Sequence, residues 1–276
     1  MPIHDELGTR MKEFYESVPK TKLMRRTPVA IRIDGKAFHT FTRGFNKPFD
    51  DVLISAMQDT MKYLCENIQG CVLGYTQSDE ITLILVDYKR LNSSAWFDYE
   101  VQKMCSIAAS MATMAFNKAF NEGVQHRNLS YYAAQATTDN PYPQDDLGQT
   151  YAVKAQMGAM FDARCFNIPK EEVTNLIYWR QLDATRNSIQ MVGQANFSHK
   201  ELQGKSCEKI KEMLITEKEI SWEDFDPMYK HGSCCIKITT ETDGVTRSSW
   251  KIDKNIPLFI GEGREYIESL IQCQEE

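Results

Sequence analysis

Among the 8 cysteines of this 276-residue chain there is no Cys-x-x-Cys pair. Cys65 and Cys71 are too far apart for a zinc knuckle, and Cys234 and Cys235 are adjacent. A zinc framework is therefore excluded, and reduced, mostly buried thiols are expected. No signal peptide and no run of 18 apolar residues occurs, which predicts a soluble, cytoplasmic protein without a membrane partner. A positive excess is also missing: 32 Lys and Arg stand against 38 Asp and Glu, a formal net charge of -6. That argues against a generally basic nucleic-acid binder, though a local basic groove depends on placement rather than totals. The chain lacks a Walker loop, a G-x-G-x-x-G turn, an H-E-x-x-H pair and a G-x-S-x-G elbow. It has no internal repeat.

What remains is an ordinary globular composition, 42% hydrophobic and 25% charged, ample for a large core. Val29, Ile31 and Ile33 alternate along PVAIRID, which predicts a strand over 28–34. Helical spacing follows over 49–67 and again over 98–120, the latter rich in Ala and Ser. Between them, CVLGYTQSDEITLILVD (71–87) has two apolar runs around a polar tip, the pattern of a β-hairpin. Residues 121–150 are loop-like, with turn chemistry at Asn140-Pro141-Tyr142-Pro143 and Asp145-Asp146-Leu147-Gly148. A strand is expected over 158–168 and a helix over 169–187, with Trp179 on its apolar face. A further helix is expected over 201–214, and strands over 233–239 and 250–258. The first half thus runs β-α-β-β-α-β, the ferredoxin-type split βαβ arrangement. The predicted fold class is α/β (α+β), a single domain over 1–276. Its core occupies 1–170 and an α/β extension 171–276.

Two acidic positions stand out: Asp34 at a strand end, and Asp79-Glu80 at a hairpin tip. In a split βαβ sheet these strands are neighbours, so the carboxylates can meet at one edge. Converging carboxylates repel unless a cation neutralises them, and hard oxygen ligands favour Mg²⁺. The alternative is a pair of ordinary surface turns, since Asp-Gly and Ser-Asp-Glu are common turn chemistry. Beside Asp34, Gly35 permits close backbone approach to a ligand. Lys36 and Lys47 offer point charges to phosphates. Phe38 and His39 are placed to flank a base, or belong to the core along with Phe41, Phe45 and Phe49.

At these residues the sequence resembles the tRNA(His) guanylyltransferase family. The resemblance lies in RIDGKAFHTFTRGFNKPFD (32–50), GYTQSDEITLIL (74–85), FDARCFNIP (161–169), YWRQLDATRNS (178–188), LQGKS (202–206) and MYKHG (228–232). It implies a polymerase-palm-like catalytic core using two Mg²⁺ ions held by Asp34, Asp79 and the Gly35 carbonyl, with Glu80 as the neighbouring acid. It further implies nucleotide contacts from Asp34, Gly35, Lys36, Ala37, Phe38, His39, Ser78 and Asp79. Lys47, Asp50 and Ser78 fall where the family contacts the activating triphosphate. The eukaryotic enzymes carry a His-Ile-Asn-Asn-Leu-Tyr-Asn-Thr segment where this chain reads Thr185 to Val192, keeping Asn187. That departure resembles the Thg1-like branch of bacteria and archaea.

The implied reaction is 3′-to-5′ nucleotidyl transfer to the 5′ end of tRNA. ATP or GTP activates the RNA end, and the 3′-hydroxyl of an incoming NTP then attacks it. Template-directed 5′-end repair is the reading the branch favours. A dedicated tRNA(His) guanylyltransferase, a palm-type nucleotide cyclase and a non-catalytic RNA-binding module are the alternatives. RNA contacts are expected at Arg180, Arg186 and Asn187, with Lys89, Arg90, Lys154, Arg164, Lys200, Lys205, Lys209 and Lys211 as further basic candidates. By resemblance the RNA is gripped across a homotetramer.

Overall fold

A computed structural model of the chain describes residues 6–136, 140, 143–242 and 245–273. Its centre is an antiparallel sheet of six strands: β1 (Val29–Gly35), β2 (Cys71–Gln77), β3 (Glu80–Leu85), β4 (Phe161–Asn167), β5 (Ser233–Thr242) and β6 (Val245–Asp253). They lie in the order β4-β1-β3-β2-β5-β6. The first four give the split βαβ order, with helices α1 (Asp51–Asn67) and α2 (Val101–Gln135) as the crossovers. β1 runs through the middle of the sheet's core, and its Val29, Ala30, Ile31 and Ile33 are all fully buried. Its register sets Asp34 opposite Glu80 on β3 and opposite Asp162 on β4. β5 joins the same sheet beside β2, pairing Leu73 with Ile236.

Asp50 starts α1. Its backbone is extended and its carboxylate accepts from the Leu53 N–H, satisfying a donor that the first turn would otherwise leave free. The buried stripe of Ala56, Met57, Met61 and Leu64 then packs on one sheet face together with Ile31 and Ile33. α2 lies beside it, and its Ala108 and Ala112 are fully buried, so small side chains let the helix sit close.

The expected loop over 121–150 is largely helical. α2 continues to Gln135, and α3 (Asp146–Met157) follows. The stretch is polar, so periodicity hides it, but the polar groups are paired. Arg127 forms an ion pair with Asp145, which caps α3 by accepting from the Gly148 N–H. The same guanidinium lies over the Tyr131 and Tyr151 rings. Part of the expected Asn140–Pro143 turn lies outside the described residues.

The opposite sheet face is covered by α4 (Val173–Asn196) and the C-terminal segment, with Val173, Ile177, Phe259, Ile267 and Ile271 against Ala30 and Ile84. Gln181 pins that segment: its amide donates to the Pro257 carbonyl and accepts from the Phe259 N–H, both at 2.9 Å. This is why the last strand ends at Asp253 rather than running to 258. It also begins earlier than expected, because the β5–β6 hairpin pairs from Val245 onward.

The helix expected over 201–214 is split. A short helix over His199–Leu202, closed by a Ser198–Glu201 capping box, precedes α5 (Cys207–Lys218). Gly204 turns the chain between them with φ of +74°. The eight cysteines are all free. No helix of the described residues is long and apolar enough to cross a membrane.

Candidate active site

The site lies where β1 ends against the β2–β3 turn. Only Ser78 and Asp79 separate the paired residues Gln77 and Glu80. A loop this short demands unusual backbone angles, and Ser78 takes the left-handed conformation at φ of 50°. Strain of this kind persists only where surrounding contacts enforce it. Here the Gly35 N–H donates to the Asp79 carbonyl at 3.0 Å, tying the β1 end to the tip. Beyond Gly35 the chain turns through Ala37, also left-handed at φ of 55°, and Phe38 folds back beneath the glycine. A Cβ on Gly35 would sit 2.2 Å from the Phe38 ring, so only glycine fits this approach.

The electrostatics follow from this packing. Burial pushes the Asp34 carboxyl above its ordinary range, and the Glu80 and Asp162 carboxylates push it further against the opposing effect of Arg164 and Arg32. Burial also raises Asp79. A backbone hydrogen bond and the Ser78 hydroxyl, which donates to Asp79 at 3.1 Å, offset part of that, while Asp34 and Glu80 add to it.

Glu80 is in a different position. Its carboxylate is buried and ion-paired to Arg32 at 2.8 Å and to Arg180 on α4 at 2.7 Å. Glu80 is thus neutralised by direct ion pairs, whereas Arg164 and Arg32 only partly offset the charge around Asp34. All donors at the edge are hard oxygens, although no group of three or more His, Cys, Asp or Glu among the described residues is gathered closely enough to hold a metal ion by itself. An oxygen set with few protein ligands suits Mg²⁺, which keeps waters and substrate phosphates in its shell.

A cleft of about 550 Å³ opens beside this edge. Gly35, Ala37, Phe38, His39, Lys47, Asp50, Ser78 and Asp79 all line it. Asp34 and Lys36 do not; Asp34 stands at the sheet edge beside Glu80, and Lys36 is exposed with its N–H bonded to the Met160 carbonyl at 2.8 Å. Phe38, Phe41 and Phe45 belong to the core, while Phe49 stacks on Tyr229 at 4.8 Å.

The Thg1 family model, described as tRNAHis guanylyltransferase, matches residues 8–169. The chain belongs to the tRNA(His) guanylyltransferase family, whose members are nucleotidyltransferases. A bacterial tRNA(His) guanylyltransferase (Thg1)-like protein in complex with ATP is 39% identical, with a TM-score of 0.78 over 97% of this chain and 100% of that one. A second such bacterial structure, in complex with GTP, is 36% identical, with a TM-score of 0.75 over 96% and 99% of the two chains. The tRNA(His) guanylyltransferase 2 of Arabidopsis thaliana is 22% identical over 98% of this chain, which spans only 48% of that protein.

Against this family background, the placements of four candidate residues bear on their expected roles. Arg180, expected to meet RNA, is only 6% exposed and bound to Glu80 and Asp183. Arg186 is exposed but ion-paired to Asp183. Asn187, the third RNA candidate, lines the cleft. Asp50, expected at a triphosphate, is buried and already accepts from Leu53, Asn46 and Tyr151.

Sequence reasoning missed the second wall of the cleft. Ser188, Met191 and Gln194 on α4, and Met228, Tyr229 and Ser233 beyond it, face the family loop. The departure of Thr185 to Val192 from the family pattern was the available signal, since that segment supplies part of this wall.

Proposed function

We propose that the protein is an Mg²⁺-dependent 3′-to-5′ nucleotidyltransferase that adds templated nucleotides to the 5′ end of tRNA. The observation that carries this reading is the approach of two half-buried carboxylates, Asp34 and Asp79, at the end of β1, with Asp79 lining a cleft beside Gly35, Ala37, Phe38 and His39. Membership of the family and the ATP and GTP complexes of similar bacterial proteins support it.

Asp34, Asp79 and the Gly35 carbonyl would hold two Mg²⁺ ions. Bound there, the metal supplies charge neutralisation and hydroxyl activation for in-line displacement at phosphorus. The protein's own part is positioning. Lys47 offers its charge to the triphosphate, Ser78 orients Asp79, and Ala37 and His39 shape the nucleotide's seat. Asp50 acts by pinning the loop that carries Lys47. Glu80, held by two arginines, fixes the strand edge.

In the first step a 5′-monophosphorylated RNA attacks ATP, forming a 5′-adenylylated end and releasing pyrophosphate. In the second, the 3′-hydroxyl of an incoming NTP attacks the activated 5′ phosphate and AMP leaves. A homotetramer gripping the RNA across subunits completes the proposal.

The test is to incubate the protein with Mg²⁺, ATP, four NTPs and a 5′-monophosphorylated tRNA lacking its first nucleotide. Templated extension by the parent and none by Asp79→Ala is expected. Extension by G alone, on tRNA(His) alone, would make the protein a dedicated guanylyltransferase. A cyclic nucleotide without RNA growth would overturn the assignment.

A further inference from the structure

Side chains alternate across a strand, so the burial of Ile31 and Ile33 beneath α1 and α2 turns Arg32 and Asp34 to the α4 side. On that side Trp179 of α4 is 51% exposed, although the sequence pattern placed it inward. The buried stripe of α4 runs through Val173, Ile177, Arg180, Gln181, Ala184 and Ser188, and Trp179 falls off it.

Its indole is held all the same. The Arg180 guanidinium carbon lies 4.4 Å from the ring centroid and that of Arg32 lies 5.2 Å away. Both arginines are anchored on Glu80, at 2.7 and 2.8 Å, and Arg180 also on Asp183 at 2.8 Å. The result is a large, rigid, water-facing aromatic surface. Arg32, whose guanidinium lies over the ring, is two residues from Asp34 on the same strand face, about 7 Å along the strand.

We propose that Trp179 is an RNA-positioning residue, the platform on which the base at the 5′ end of the acceptor RNA stacks while that end meets Asp34. This rests on the function proposed above. The surface suits a base better than a phosphate, because its guanidinium groups are already paired with carboxylates: Arg32 with Glu80, Arg164 with Asp162, Arg186 with Asp183. What it offers is the exposed part of an indole ring, and aromatic rings stack bases without sequence preference. That tolerance is what a templated addition of any nucleotide needs. Asp34 does not line the cleft whereas Asp79 does. The metal-holding edge therefore separates two seats, the nucleotide in the cleft and the RNA end on the indole. A second copy of the chain is the rival occupant, and the test distinguishes it.

The probe is a 5′-monophosphorylated acceptor-stem RNA with 2-aminopurine as its 5′-terminal base, titrated with the full chain, Trp179→Ala and Trp179→Phe. Stacking should quench the parent complex. Trp179→Ala should bind RNA roughly tenfold more weakly, lose the quench and raise KM for RNA, with ATP affinity unchanged. Trp179→Phe should restore most of both. RNA affinity and quench within twofold of the parent in Trp179→Ala would overturn the proposal. So would a change in sedimentation that accounts for the loss, since the indole would then be a subunit contact. A parent that binds ATP but no RNA would sink the proposed function and this inference together. A parent that extends RNA while Trp179→Ala keeps its quench would sink this inference alone.

Discussion

Replacing Asp50 with alanine removes a helix cap, a loop anchor and a phenol acceptor in one change. The carboxylate is 5% exposed and accepts from the Leu53 N–H at 2.9 Å, the Asn46 N–H at 3.0 Å and the Tyr151 hydroxyl. Tyr151 is itself buried, which together with the Asp50 carboxylate raises its pKa, so its hydroxyl stays protonated and needs an acceptor. Loss of the cap costs about 1 kcal/mol. A buried hydroxyl left without a partner costs about 1–3 kcal/mol more. Asp50→Ala should therefore lose roughly 2–4 kcal/mol in total.

Urea denaturation reads this as a lower midpoint at unchanged slope. Asp50→Asn keeps an acceptor for the cap and should lose less. Tyr151→Phe removes the donor instead of stranding it, so the double variant should recover part of the loss, with a coupling of about 1–2 kcal/mol. A loss below about 0.5 kcal/mol for Asp50→Ala, or strict additivity with Tyr151→Phe, would refute the account.

Three further outcomes are expected. The raised pKa of Asp79 means that the folded protein keeps a proton which the unfolded chain releases near pH 4. Its ionisation then lowers stability as pH climbs through the folded value. Asp79→Asn should accordingly be more stable than the parent at neutral pH without divalent cations, indistinguishable from it at pH values below 4, and blind to added Mg²⁺; thermal melts at both pH values check this. Gly35→Ala places a Cβ 2.2 Å from the Phe38 ring, and should cost about 1–3 kcal/mol by overpacking and weaken ATP binding, read by urea titration and calorimetry. Arg180→Met leaves Glu80 with Arg32 alone and should lose about 3 kcal/mol, whereas Arg186→Ala, an exposed pair, should change stability by less than about 0.5 kcal/mol; equal effects would refute the distinction drawn between them.

The sheet was legible because its signals are local. Alternation over Val29 to Ile33 and the apolar runs around Ser78 and Asp79 are set by residues adjacent in sequence. The convergence of Asp34 and Asp79 followed from topology once those strands were placed. The arginine clamp on Glu80 was not legible, because Arg180 arrives from a helix far along the chain and a buried arginine reads as a polar break. The end of α2 was hidden for a related reason: Arg127, Asp145 and Tyr131 satisfy one another rather than a hydrophobic stripe. Trp179 misled because a tryptophan in a helix normally marks its apolar face, and here its ring is held by two cations instead.

The two walls of the cleft come from well-separated stretches of chain. Residues 35–58 and 76–79 form one, and residues of α4 and the segment at 228–233 form the other. The first wall carries Asp79 and lies within the family match, which ends at 169. The second lies entirely outside it. The cleft is therefore assembled from one segment inside the family match and one outside it. A fragment ending where the family match ends would lose the second wall together with Arg180, and with it one of the two arginines that hold Glu80 at the strand edge.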